Sequence, residues 1–205
     1  MIVGDIKKRT RLAPEARRNQ ILDDAARLIL QEGLSAVTME RMGREAGISK
    51  GLVYNYFPTR DALLGALLHR EQTKLRDRGM ATALQAANYQ DLIAQTTRLY
   101  LQHTRDYGPL MGALLSDPSV AKLMEAENRD EQEQTIRFFV RATRREFDLS
   151  LPLAIAVVSM LMSVSEQAGK LVARDGLDID IATEMCVRMM IGGLAELIRG
   201  EPLDL

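Results

Sequence analysis

The sequence predicts an all-α protein of about nine helices, and three observations carry that prediction. Apolar residues recur at helical spacing through almost the whole chain, with no alternating strand pattern. Prolines and glycines fall where those periodic stretches would start and stop. Hydrophobic residues make up 46% of the 205 and charged residues 27%, the balance of a globular chain with a core to bury.

In order, residues 1–12 are a basic, polar arm. Pro14 suits a first helical turn and Gly33 a stop, with Ile21, Leu22, Ala25, Leu28 and Ile29 as one stripe, so a first helix covers 14–32. Thr38 starts a short helix ending at Ala46, Gly47-Ile48 turns, and Ser49 caps a third helix reaching about Phe57. Pro58-Thr59 breaks the chain and caps a fourth helix from Arg60 to about Gly79. Further helices are expected near 89–107, 109–116, 118–147, 151–174 and 179–199. Pro109, Pro118 and Pro152 stand at starts, and Asp175-Gly176 marks the last loop. The run Leu151–Met162 is too short for a bilayer, which needs roughly 20 residues, and reads as a helix buried on both sides.

Net charge is −1, but it is unevenly spread. Residues 1–60 hold 11 Lys and Arg against 7 Asp and Glu, and the rest hold 16 against 21. A basic head on an acidic body is expected where one end meets phosphate. Aromatics are 4% with no Trp, whereas Met numbers 11, so the core is soft and suits an adaptable cavity. The single Cys186 rules out an intrachain disulfide and fits a reducing cytoplasm. The residues from Met1 to Arg11 hold no apolar run of the signal-peptide kind.

The stretch from Thr38 to Phe57 reads as a helix-turn-helix. Gly47 supplies a positive φ in the turn, and Gly43 keeps the helix crossing close. Ile48 and Val53 fill the space beneath the second helix. Lys50, Gly51, Tyr54 and Asn55 fall on the face away from Leu52, Val53, Tyr56 and Phe57. Lys50 can donate to guanine and Gly51 allows close backbone approach. Thr38, Ser49, Tyr54 and Arg60 suit phosphate, and Arg41 and Tyr56 complete the candidate DNA-contacting set. Two short helices around a glycine also occur in plain helical cores. The basic arm, the two caps and the polar outer face favour double-stranded DNA.

The run from Ile21 to Leu64, above all Ala46-Gly-Ile-Ser-Lys-Gly-Leu-Val-Tyr-Asn-Tyr-Phe-Pro-Thr-Arg-Asp-Ala-Leu64, resembles the DNA-binding domain of TetR-type (tetracycline-repressor-like) regulators. It covers about a quarter of the chain. Met42-Gly43 departs from the family's usual branched aliphatic and Ala, and Asn55 stands where His is frequent. The resemblance implies a three-helix DNA-binding domain, here 13–58, joined by a connecting helix to a ligand-binding and dimerisation domain over 59–205. It also implies a homodimer built by the last two helices.

The second half agrees with a dimer in its own right. The segment 151–162 is apolar all round, and the last helix offers a wide apolar surface with Gly192-Gly193 open to close approach. Leu161, Val164, Ala168, Met185, Met189, Gly193 and Leu197 are the candidate interface. For a small-molecule effector, Tyr100, His103 and Tyr107 share one helix face, and Phe138, Met160, Met162 and Glu166 are candidate lining from neighbouring helices. The same residues read equally well as ordinary core or surface side chains. Arg137, Arg141 and Arg145 form a stripe for an acidic ligand or a solvated face paired with Glu133 or Glu146.

No catalytic residue, metal set, cofactor loop or membrane partner is expected. His69 and His103 are the only histidines, and Cys186 sits on an apolar helix where thiols are inert. The expected function is a ligand-responsive transcriptional repressor binding a palindromic operator. The alternative is a constitutive or architectural DNA-binding protein with no effector.

Overall fold

A computed structural model describes residues 12–127 and 129–199, and side chains outside 123–132. The described chain is helical throughout, with no strand, and divides into two compact units, Met1–Leu67 and Leu68–Leu205. The basic arm expected over 1–12 lies, Leu12 apart, outside the described residues.

In the first unit α1 (Pro14–Glu32) buries the expected stripe of Ile21, Leu22, Ala25, Leu28 and Ile29. It ends where Gly33, at φ 85°, reaches a conformation that L side chains resist. A short 3-10 turn (Leu34–Ala36) leads to α2 (Met39–Glu45), and a tight turn leads to α3 (Lys50–Tyr56). Met42, Val37, Val53, Leu63 and Leu64 close the core beneath them. Helix α4 (Arg60–Gln85) opens on Thr59, whose Oγ1 accepts from the Ala62 amide at 3.0 Å.

The second unit contains α5 (Tyr89–Leu115), α6 (Pro118–Glu127), α7 (Arg129–Phe147), α8 (Leu151–Asp175) and α9 (Ile179–Arg199). Its core gathers Leu92, Ile93 and Leu101 of α5 with Val157 and Val172 of α8 and Ala182, Cys186, Met190 and Leu194 of α9. Tyr89 fixes the start of α5 against α7, its hydroxyl 2.8 Å from Thr143 Oγ1 and its ring edge-on to Phe147 at 4.9 Å. Asn88 caps α5 by accepting from the Asp91 amide, while Asp91 accepts from Ala87, which lowers the carboxylate's pKa.

Two boundaries differ from the sequence expectation. Helix α4 runs past Gly79 to Gln85, because Gly79 keeps helical backbone and good helix formers follow. Pro109 lies inside α5, not between two helices. A proline there removes one hydrogen bond and costs roughly 3 kcal/mol, and Leu101, Leu110 and Leu114, buried on both sides of it, outweigh that. The expected 118–147 helix is described on either side of residue 128, as α6 and α7.

Helix α8 is long and apolar enough to cross a membrane by length and composition alone, yet Ala154, Val157, Val158, Ala168, Gly169 and Val172 are packed into the core. Within this chain it is buried on one side, not two. Leu151, Ile155, Met160 and Met162 stand exposed on the other.

Candidate nucleic-acid interface

Helices α2 and α3 meet around two glycines. Gly47 has φ 62°, the left-handed turn expected of it. At Gly43 a Cβ would lie 3.0 Å from the Ile48 carbonyl oxygen and 3.2 Å from the Lys50 amide nitrogen. The crossing is therefore set by backbone against backbone, at a distance that a side chain would have to widen. Both caps form as the residue types dictate: Thr38 Oγ1 accepts from the Arg41 amide at 3.1 Å and Ser49 Oγ from the Leu52 amide at 3.2 Å.

Helix α3 rests on the fully buried Val53, followed by Phe57, whose ring receives the Arg18 guanidinium at 5.2 Å. Lys50, Gly51, Tyr54 and Asn55 are exposed on its outer face. Leu52, expected on the face away from Lys50, Gly51, Tyr54 and Asn55, is 37% exposed, because on so short a helix one inward position takes up the contact. Tyr56 is half-buried.

A cleft of about 490 Å³ opens between the segment Ser35–Glu40 and α3, lined by Thr38, Glu40, Lys50, Tyr54 and Arg60 among others. Four of the nine sequence-expected contact residues thus share one concavity. Arg60 also donates to the carbonyls of Val37 (2.9 Å) and Leu34 (3.0 Å), so it braces the cleft wall. Glu40 on the rim was not foreseen. As an exposed first-turn carboxylate, it gave no signal beyond favourable helix-dipole placement.

Arg41 is placed differently from the others. Its guanidinium is gripped by Glu45 at 2.7 Å and Glu32 at 2.7 Å, and Glu45 also accepts from Arg27, which reaches Asp24 at 2.8 Å. Its hydrogen bonds to Glu45 and Glu32 hold the Arg41 pKa above its ordinary value, and those that Arg41 and Arg27 donate hold Glu45 below its own. This chain of charges fastens α1 to α2, a long-range pairing that no local motif announces. Arg44, exposed on α2, makes no ion pair among the described residues and is a basic group the sequence reasoning passed over.

Residues 21–67 match the family of bacterial regulatory proteins designated tetR. The chain is 31% identical over 113 residues to the HTH-type transcriptional regulator BetI of Rhizobium meliloti, covering 55% of this chain and 56% of that protein. This chain is similar to TetR-family regulators in that region. It spans about half the length of that curated relative. The fold is shared with a TetR-like transcriptional regulator from Rhodococcus sp. RHA1, at TM-score 0.67 and 18% identity over 90% of this chain and 99% of that one. It is shared also with FadR of Bacillus subtilis, solved in complex with stearoyl-CoA, at TM-score 0.65 and 13% identity over 85% and 98%.

In the second unit the expected effector residues separate into two groups. Tyr100, His103 and Tyr107 are part-buried on α5, with His103 stacked on Tyr107 at 4.8 Å and 22°. Tyr100 lies against Gly169, where a Cβ would come within 3.1 Å of the ring, and burial raises its phenol pKa. Phe138 packs on the core from α7. Met160 and Met162, 68% and 38% exposed, face outward, and Glu166 pairs with Lys170 at 3.0 Å on the surface. A cleft of about 320 Å³ in this unit is lined by Arg76, Asp77, Met80, Gln134 and Thr135, none of them an expected effector residue. Arg137 pairs with Glu133, the solvated-face reading of the arginine stripe.

The expected dimer residues divide likewise. Met185, Met189 and Gly193 are exposed on α9, and no neighbouring atom lies within 4 Å of a Cβ built at Gly192 or Gly193. Ala168 belongs to the chain's own core, with Leu161, Val164 and Leu197 part-buried against it. Cys186 is buried, which pushes its thiol pKa up and leaves it inert.

Proposed function

We propose that this chain is a transcriptional repressor that binds a palindromic DNA operator as a homodimer and lets go when a small, largely apolar effector enters the second unit. The observation that carries the DNA-binding reading is the cleft where Thr38, Lys50, Tyr54 and Arg60 converge. Two cationic side chains and two hydroxyls around a concavity suit a phosphate, and the exposed Lys50 and Gly51 on α3 suit base edges beyond it.

A single motif of this kind reads one half-site, so useful affinity needs two. The open apolar stripe of α9, with Met185 49% and Met189 62% exposed, supports self-association. Its two exposed glycines would let a partner helix approach closely. FadR's complex with stearoyl-CoA supports an effector of apolar character. In the mechanism, the effector favours a geometry in which the two recognition helices no longer match successive major grooves.

The constitutive, effector-free reading is favoured by one observation: the 320 Å³ cleft of the second unit is lined mainly by polar side chains. Selection of bound duplexes from a random pool, followed by thermal-shift screening with apolar compounds, separates the two. Enrichment of a two-fold symmetric sequence, and a compound that both stabilises the protein and releases that duplex, is the expected result. Enrichment without any such compound would leave the constitutive reading standing and overturn the effector.

A further inference from the structure

Glu71, on α4, is a carboxylate sealed in the second unit at 2% exposure. Its two oxygens have unequal surroundings. Oε1 accepts from Arg70 Nε at 2.9 Å and Lys74 Nζ at 3.0 Å. Oε2 is cut off from solvent and accepts from no described residue. A buried carboxylate oxygen without a donor is among the costlier arrangements a fold can carry, and a bound group that supplies the donor relieves it.

The neighbourhood suits a bound molecule. The charge of Glu71 acts on the part-buried imidazole of His103, which stacks on Tyr107, and Tyr100 stands one turn earlier on the same face of α5. Aromatic side chains within electrostatic reach of one unsatisfied polar atom suit a mostly apolar molecule with a single point of orientation.

We propose that Oε2 of Glu71 is the polar anchor of the effector site, and that the effector is a neutral, largely apolar molecule carrying a hydroxyl or amide N–H that donates to it. This rests on the reading that an effector binds the second unit. Charge balance selects the neutral class. Arg70 and Lys74 already outnumber the one carboxylate, and Arg78 adds to them around His103, so a cationic headgroup would bring in surplus positive charge. An anion would set like charge against Oε2.

The test is calorimetric titration of the full chain with 1-octanol, octyl methyl ether and octylammonium. The ether matches the alcohol in shape but has no donor. The expected result is octanol tightest, by at least about tenfold over the ether, with that preference largely lost in Glu71→Gln. Equal binding of alcohol and ether overturns the anchor while leaving an effector site in place. Tightest binding by octylammonium overturns the neutral class. Binding by none of the three overturns both the anchor and the effector reading. Should Glu71→Gln fail to fold by circular dichroism, the alcohol–ether comparison on the unaltered chain decides.

Discussion

Arg60 Nε donates to the carbonyl oxygen of Val37 at 2.9 Å, tying the first turn of α4 to the strut that precedes α2. With the second bond to Leu34, the side chain stiffens the wall of the cleft that it also lines. Arg60→Ala is therefore expected to weaken binding to all DNA alike and also to cost about 1–3 kcal/mol of stability. Arg60→Lys keeps the charge but not the two-pronged grip, and falls between. Thermal melts beside DNA titrations check this; unchanged melting in Arg60→Ala would show that the brace has no weight.

Gly47, at φ 62°, turns the chain from α2 into α3. Gly47→Ala forces an L side chain into the left-handed region at about 1–2 kcal/mol. Denaturant unfolding should show that loss with an unchanged m-value. A midpoint equal to the unaltered chain would mean the turn relaxes at no cost.

How much of this was legible beforehand depended on how local the cause was. Thr38, Ser49 and Gly47 act within four residues, so caps and turn could be read from the residue types alone. The grip of Glu32 and Glu45 on Arg41 joins separate elements, and that pairing is invisible in the sequence. Helix α8 is apolar all round between 151 and 162, so periodicity gave no way to tell which face is buried. Met160 and Met162, expected among the residues lining a cavity, stand exposed on the outer side of the helix. Pro109 was a plausible break that packing on both sides overrides.

Burial lowers the pKa of His103 below its ordinary 6.5, with Glu71 acting in the opposite sense. Between the folded value and 6.5 the unfolded chain binds the extra proton, so stability is full above about 6.5 and declines as pH falls through that window. Melting temperature should drop on acidification in the unaltered chain and drop less in His103→Gln. Identical pH profiles for the two would remove His103 from the account.

Met189, 62% exposed on α9, stands on the open apolar stripe with Met185. Met189→Glu places a charge there that a dimer would have to desolvate. Light scattering at micromolar concentration should give twice the chain's 22.9 kDa for the unaltered protein and a single chain for the variant. A variant that remains dimeric would move the interface off this stripe.

The central claim is that the α2–α3 cleft holds DNA backbone while Lys50 reads bases. It is tested most directly by titrating a selected duplex and a scrambled one of equal length against the unaltered chain and Lys50→Ala, over a range of salt. The account predicts that the unaltered chain prefers the selected duplex, and that Lys50→Ala loses about 1–3 kcal/mol of that preference while still binding both. Equal losses on the two duplexes, or no preference in the unaltered chain, would contradict it.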